Sequence, residues 1–313
     1  MTLLLPEDFP LPSDQPFTRR QAAAAGVPDW RLHCLVRERR LRRPIRNVYV
    51  AAGVPDSLEL RCRALGLVLP KDVFVCDLTA GWIHAGEKAL APGAHETVPP
   101  VSCFRPSGGG RLRNEITDSG ERRIEPGDLV EMHGLTVTTT LRTALDLGRL
   151  QRTADMRLWG MSCMQAVGGF SHARLCDELD RFKKQRGIVL QRILVERVDP
   201  GLQSFGEASL DNRWWDAGLP RPQTQIEIDK GDGTSYFLDL GLEEERFAGE
   251  YDGRAWHSSP QQRAHDGVRR QWVRDHRSWR IEVFTESQTY GHQQHAEQLL
   301  REAFAAHRGV RYL

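Results

Sequence analysis

Hydrophobic positions between Phe17 and Tyr49 follow the order helix, break, helix, strand. Thr18 is placed to cap a helix over residues 19–25, Gly26-Val27-Pro28 interrupts it, and a second helix is predicted from Asp29 to Arg39. Leu32, Leu35 and Val36 give that second helix one apolar face at i, i+3, i+4 spacing, and Val48-Tyr49-Val50 reads as a short strand. These are the proportions of a small winged helix-turn-helix over residues 1–50. Residues 51–200 predict a mixed α/β segment, with apolar pairs around Val73–Cys76 and Leu135–Thr138. A capped helix with Leu141, Leu145 and Leu147 buried follows, then two helices on either side of Gly168-Gly169. Asp199-Pro200-Gly201 reads as a linker into a last region, 201–313.

That last region changes periodicity. Ser204-Phe205-Gly206-Glu207 opens a helix with Glu207 in its first turn, and Leu210, Trp214 and Trp215 form its apolar side before Gly218 ends it. Strands are predicted at 223–228, 236–240 and 247–251, the last two antiparallel across the acidic turn Glu243-Glu244-Glu245. Alternation along a strand puts Phe237 and Asp239 on one face, and Ala248, Glu250 and Asp252 on one face of the next. Three carboxylates near the end of one hairpin repel each other unless a cation neutralises them, and all-oxygen ligation suits Mg2+ or Mn2+. Read singly, Asp239 and Glu250 are equally ordinary solvent-face strand acids.

Composition excludes several classes. The 313 residues suffice for about two domains at roughly 150 residues each. With 43 Lys+Arg against 42 Asp+Glu, the chain is not a polycation, so nucleic-acid binding requires local charge segregation. Two segments supply it. Residues 31–46 hold seven arginines against Glu38 alone, and residues 254–280 hold seven against two aspartates. The first is a DNA footprint beside the winged helix, although a solvated arginine face is the plainer explanation of any such run. The second puts phosphate-binding side chains next to the carboxylates, which is what a phosphodiester hydrolase requires. Gly108-Gly109-Gly110 lacks the context of a phosphate loop and reads as a surface turn. The six cysteines show no C-x-x-C pair, which favours reduced thiols in a cytoplasmic protein, and no apolar run reaches the roughly 20 residues that span a bilayer.

Two resemblances follow from particular motifs. Phe17-Thr18-Arg19-Arg20-Gln21-Ala22, Gly26-Val27, Leu41, Arg43 and Val48-Tyr49 resemble the winged helix of AbiEi-type antitoxins, and the stretch from Thr138 to Leu147 resembles the T-x-x-R-T-x-x-D segment that follows it there. From Gly201 to Tyr290 the chain resembles Vsr-related PD-(D/E)xK endonucleases. The matching pieces are Glu207, the G-L-P-x-P-x-x-Q run from Gly218 to Gln225, Asp239, and E-x-D-G-x-x-x-H from Glu250 to His257. Arg263 with Asp266, and the strand from Trp279 to Thr285, complete them.

The resemblance implies an α+β protein, its C-terminal mixed sheet flanked by helices. It further implies a metal-dependent DNA nuclease with Glu207, Asp239, Glu250, Asp252 and His257 as its catalytic set, Asp239 and Glu250 being the principal ligands, Glu207 an outer or third ligand, and His257 near the scissile phosphate. Where many restriction enzymes carry lysine this chain has Asp252, so Gln225, His257 or Arg270 must stabilise the transition-state charge. Arg39, Arg40, Arg42 and Arg43 are expected on DNA from the winged helix, and Arg263, Arg270 and Arg274 from the C-terminal helix. DNA, single- or double-stranded and mismatched or damaged, is the expected partner ahead of RNA, with no membrane contact. The competing reading is an AbiEi-type regulator whose nuclease-like domain binds without cutting.

Overall fold

The computed structural model describes residues 4–6, 8–90, 92–93, 98–253 and 260–311, the side chains of 260–266, 310 and 311 excepted. His257 therefore lies outside the described residues, and Arg263 and Asp266 are placed by their backbone alone. The chain has mixed sheets and many helices, an α+β architecture. It divides into two compact units, Met1–Gly86 with Pro92–Thr143, and Glu87–Ala91 with Ala144–Leu313.

The first unit opens with β1 (Phe17–Thr18), α1 (Arg19–Ala24), α2 (Asp29–Arg37), β2 (Leu41–Ile45) and β3 (Val48–Ala51). Thr18 caps α1 as expected, in a reciprocal box with Gln21. The second helix stops two residues earlier than its periodicity predicts, because Arg39 turns left-handed at φ 58° and directs the chain into β2. An antiparallel sheet in the order β1-β3-β2 closes over Phe17, Ala22, Val27, Leu32, Leu35, Leu41 and Tyr49.

Next come α3 (Leu58–Gly66), β4 (Phe74–Val75), α4 (Asp77–Ala85), β5 (Val101–Pro106), β6 (Thr117–Arg122), β7 (Leu129–Met132) and β8 (Leu135–Thr138). These five strands form a mixed sheet in the order β6-β5-β4-β8-β7, the α/β segment expected there. Helix α5 (Thr140–Leu150) follows, and its motif residues are structural. Arg142 is buried and gives Nη1 to Asp128 Oδ2 at 2.7 Å and Nη2 to the Arg123 carbonyl at 3.0 Å, while buried Asp146 accepts from Arg149. Leu145 and Leu147 are buried as expected, and Leu141 is half-buried.

The second unit contains α6 (Ala154–Gly168), α7 (His172–Glu178), α8 (Ile188–Leu194), α9 (Phe205–Asp216), β9 (Gln223–Asp229), β10 (Ser235–Leu242), β11 (Phe247–Asp252), α10 (Pro260–Arg277), β12 (Arg280–Thr285), α11 (Glu286–Thr289) and α12 (Ala296–Arg311). Three helices stand where the sequence suggested two. This helical stretch belongs with the C-terminal sheet rather than with the middle strands, since buried Asp155 of α6 accepts from Asn212 at 2.6 Å and Arg213 at 2.7 Å of α9.

The sheet runs β12-β11-β10-β9, with β9, β10 and β11 antiparallel neighbours and β12 parallel to β11. One face packs Leu240, Phe247 and Phe284 against Leu210 and Trp214 of α9 and Leu300 of α12. The other packs Ile226, Leu238, Ala248 and Ile281 against Val273 of α10. Among the described residues no helix is long and apolar enough to cross a membrane.

Candidate functional site

Strict alternation along β10 fails at one residue. Leu238 packs toward α10 and Leu240 toward α9, although two residues apart on a strand they should share a face. Asp239 sits at the switch. Opposite it on β9, Gln225 has a left-handed φ of 51°, a conformation costing on the order of 1 kcal/mol for a non-glycine residue. The ladder between β10 and β11 ends at Leu240 and Gly249, and beyond it Asp239 Oδ2 accepts the Tyr251 N–H at 2.8 Å. A side-chain carboxylate thus replaces a backbone rung where the two strands separate.

Glu207 reaches the same place from α9. It lies in the first turn as expected, and its carboxylate closes the helix start: Ser204 Oγ donates to Oε1 at 2.9 Å and Gln203 N–H to Oε2 at 2.8 Å. Gln225 Nε2 also donates to Oε2, at 3.2 Å, which ties the distorted point of β9 to the helix. Gly206 is required here, because any side chain would collide with the Tyr251 ring lying across this turn. Burial raises Glu207 above the usual carboxylate range. Asp239 is pushed up to about 7 by burial and by the charges of Glu207 and Glu250, against the lowering influence of the Tyr251 N–H and Arg269.

Glu250 faces α10 and is 1% exposed. Arg269 forks onto it, with Nη1 to Oε1 at 2.9 Å and Nη2 to Oε2 at 2.8 Å, and Arg270 Nε adds a third bond to Oε2 at 2.6 Å. Arg270 Nη2 also reaches Asp252 Oδ2 at 3.3 Å, and Arg269 Nη1 donates to the Phe237 carbonyl at 2.9 Å. The structure therefore brings together Glu207, Gln225, Asp239, Glu250, Asp252 and Arg270 of the expected set. Arg269, which the motifs did not mark, engages both oxygens of Glu250 and the Phe237 carbonyl. Its only signal in the sequence is its place beside Arg270 in the arginine-rich segment. Arg274 is directed elsewhere, onto the Ile281 carbonyl at 2.8 Å.

The donor set fits a hard divalent cation in kind. Among the described residues, Arg269 and Arg270 hold Glu250, and Arg270 also reaches Asp252, whereas neither Asp239 nor Glu207 has an ion-pair partner. The arrangement differs from the expected ligand cage. No three His, Cys, Asp or Glu side chains among the described residues converge to hold a metal, and both oxygens of Glu250 lie on arginines.

In the first unit the basic segment is split by its own hydrogen bonds. Arg40 donates to the Leu4 carbonyl and pairs with Glu38 at 3.2 Å, and Arg42 donates to the Val54 carbonyl at 3.0 Å. Arg37, Arg39, Arg43 and Arg46 are exposed, with Trp30 67% exposed on the outer face of α2. A cavity of about 760 Å³ in this unit, lined by Trp82, Ile83, Leu67 and Leu135 among others, contains none of the expected catalytic residues. The buried thiols of Cys62 and Cys103 are pushed up to about 12, chiefly by burial.

No family model matches the chain. It is similar to uncharacterized proteins of two Mycobacterium tuberculosis strains, each 26% identical over 225 residues, spanning 70% of this chain and 76% of theirs.

Proposed function

We propose that the chain is a Mg2+- or Mn2+-dependent nuclease that hydrolyses phosphodiester bonds in DNA at the C-terminal sheet and docks on its substrate through the N-terminal winged helix. The observation that carries this reading is the switch at Asp239. A locally distorted sheet sets Asp239 near enough to Glu207 and Glu250 for their charges to raise it, and leaves Asp239 and Glu207 without an ion-pair partner among the described residues. Such strain and uncompensated charge persist where the surrounding fold enforces them for a function.

Asp239, Glu250 and Glu207 are the residues that would hold the ion, which supplies an activated water and neutralises charge developing on the phosphate. The chain's own groups supply order. The Tyr251 N–H fixes the Asp239 carboxylate, and Ser204, Gln203 and Gln225 fix Glu207. Arg269 and Arg270 bring two positive charges to the edge of the cluster. In the first unit, exposed Arg39 and Arg43 are the phosphate contacts of choice, whereas Arg40 and Arg42 brace the wing.

A second reading, the non-catalytic AbiEi-type regulator, is favoured by one observation: Glu250 is fully engaged by arginines. The deciding experiment incubates the full chain with labelled single-stranded, duplex and mismatched DNA, and with RNA, with Mg2+, with Mn2+ and in EDTA. Metal-dependent cleavage of DNA that is lost in Asp239→Ala supports the nuclease. No cleavage of any substrate, with binding intact, supports the regulator.

A further inference from the structure

We propose that α8 carries a self-complementary surface through which two copies of this chain associate, the two α8 helices packing antiparallel about a two-fold axis. Val189, Leu190 and Ile193 on this helix are 75%, 37% and 54% exposed. Val189 and Leu190 sit four and three residues before Ile193, so the three are neighbours on one face. Elsewhere among the described residues the exposed large apolar side chains stand singly along the chain. Together the three show roughly 300 Å2 of apolar surface, the size at which such a patch marks an interaction site. Val and Ile are poor helix formers, so helix propensity does not account for them at solvent positions. The protomer does not need them for its own core either, since Ile188, Gln191 and Leu194 bury the other side of the helix.

The charges around the patch select its occupant. Arg186 stands three residues before Val189 and Glu196 three residues after Ile193; both are exposed, and neither has an ion-pair partner among the described residues. Arg192 and Lys183, by contrast, pair with Asp180 at 2.7 and 2.8 Å. In an antiparallel pair of identical helices the numbers of facing residues sum to a constant. Seating Val189 on Ile193 of a second copy therefore also brings Arg186 to Glu196 of that copy, and the axis repeats both contacts. A surface of mixed sign suits a second copy better than the phosphate backbone of a nucleic acid. The patch is also held in place before association. Gln191 Nε2 donates to the Leu145 carbonyl at 2.9 Å, and Arg149 and Arg157 donate to the Arg186 and Gly187 carbonyls, each at 3.3 Å. Gly187 enters the helix at φ 83°, where any side chain would collide with the Arg149 carbonyl. Little backbone then has to be ordered on binding. Two such patches with their charged flanks cover on the order of 1,000 Å2 in total, at the low end for specific interfaces, so the dimer is weak and concentration-dependent rather than obligate.

Sedimentation velocity on the full chain, from about 1 to about 300 μM, tests the proposal. The weight-average mass should rise from 35.5 kDa toward twice that value, with a midpoint in the micromolar range. Ile193→Asp, at a position already open to solvent, keeps the protomer fold and weakens association at least about a hundredfold, because the axis sets the new charge twice against apolar Val189. Arg186→Glu and Glu196→Arg each weaken it at least about tenfold by setting like charges opposite one another. An equimolar mixture of these two variants recovers most of the wild-type association, since each charge again meets its opposite across the axis. Wild-type protein that stays monomeric at every concentration overturns the proposal. So does a dimer that Ile193→Asp leaves intact, which puts the interface elsewhere, or one whose mixed charge variants associate no better than either alone. None of these measurements involves metal or nucleic acid, so their outcome is separate from that of the cleavage assay.

Discussion

Asp239→Asn changes the charge of the cluster and little else, which makes it the sharpest probe of the carboxylate arrangement. The amide oxygen of the variant still accepts the Tyr251 N–H, so the rung that replaces the strand ladder is kept. What disappears is an acid whose folded-state value is raised from 3.8 to about 7 by burial and by Glu207 and Glu250. For a carboxylate raised in this sense the folded protein binds the extra proton. Its stability therefore falls as pH rises from about 4 to about 7 and levels off above that. At about 1.4 kcal/mol per pH unit, the gap makes the ionised group roughly 4 kcal/mol unfavourable at pH 8, and about 2–4 kcal/mol once denatured-state compaction is allowed for.

Urea denaturation of both proteins in EDTA at about pH 4, 5, 6, 7 and 8 measures this directly, since the series spans the transition. The variant should be more stable than wild type by a margin that grows across the series and stops growing near pH 7. Saturating Mn2+ should then shrink the margin, since the ion stabilises only the form that retains the carboxylate. Parallel stabilities at every pH would refute the reasoning, because they would mean that Asp239 titrates like a free carboxylate and that the cluster is not assembled in solution.

Glu250→Ala should have the opposite sign, costing about 3–5 kcal/mol in urea because Arg269 and Arg270 lose a buried partner, and adding Arg269→Met and Arg270→Met should recover much of the loss. Asp211, buried on α9 and pushed up to about 8 chiefly by burial and the charge of Asp199, predicts that Asp211→Asn raises the melting temperature at pH 8 and leaves it unchanged near pH 3.5. In DNA binding, Arg39→Gln and Arg43→Gln should each reduce the slope of log K against log salt by about 0.7–0.9, measured by fluorescence anisotropy. Arg42→Gln should lower stability through its Val54 carbonyl bond while leaving that slope nearly unchanged.

Local signals were enough for much of this molecule. The Thr18 cap, the break at Gly26-Val27-Pro28, the helix opened by Ser204 and the antiparallel pair across the acidic turn are written in short stretches, because capping, turn chemistry and apolar periodicity act between residues a few positions apart. Glu207, Asp239 and Glu250 were legible as candidates for the same reason: each is an acid at a marked point of a predicted element.

The tertiary structure decided what those acids do. Alternation placed Asp239 on a regular strand face, but Leu238 and Leu240 on either side of it pack into different cores, opposite a left-handed Gln225 whose side chain bonds Glu207, 18 residues earlier. The capture of Glu250 by Arg269 and Arg270 joins residues 19 and 20 positions apart across a helix and a sheet, and no pattern within either element announces it. Likewise Arg142 of the T-x-x-R-T-x-x-D stretch finds Asp128 fourteen positions back, and the helices between 144 and 200 join the C-terminal sheet through Asp155 and α9. The physical reason is common to all four. The sign and strength of a charged group's contribution depend on which opposite charges the packed chain brings within hydrogen-bond reach and how far water is excluded, and both are fixed only when distant segments meet.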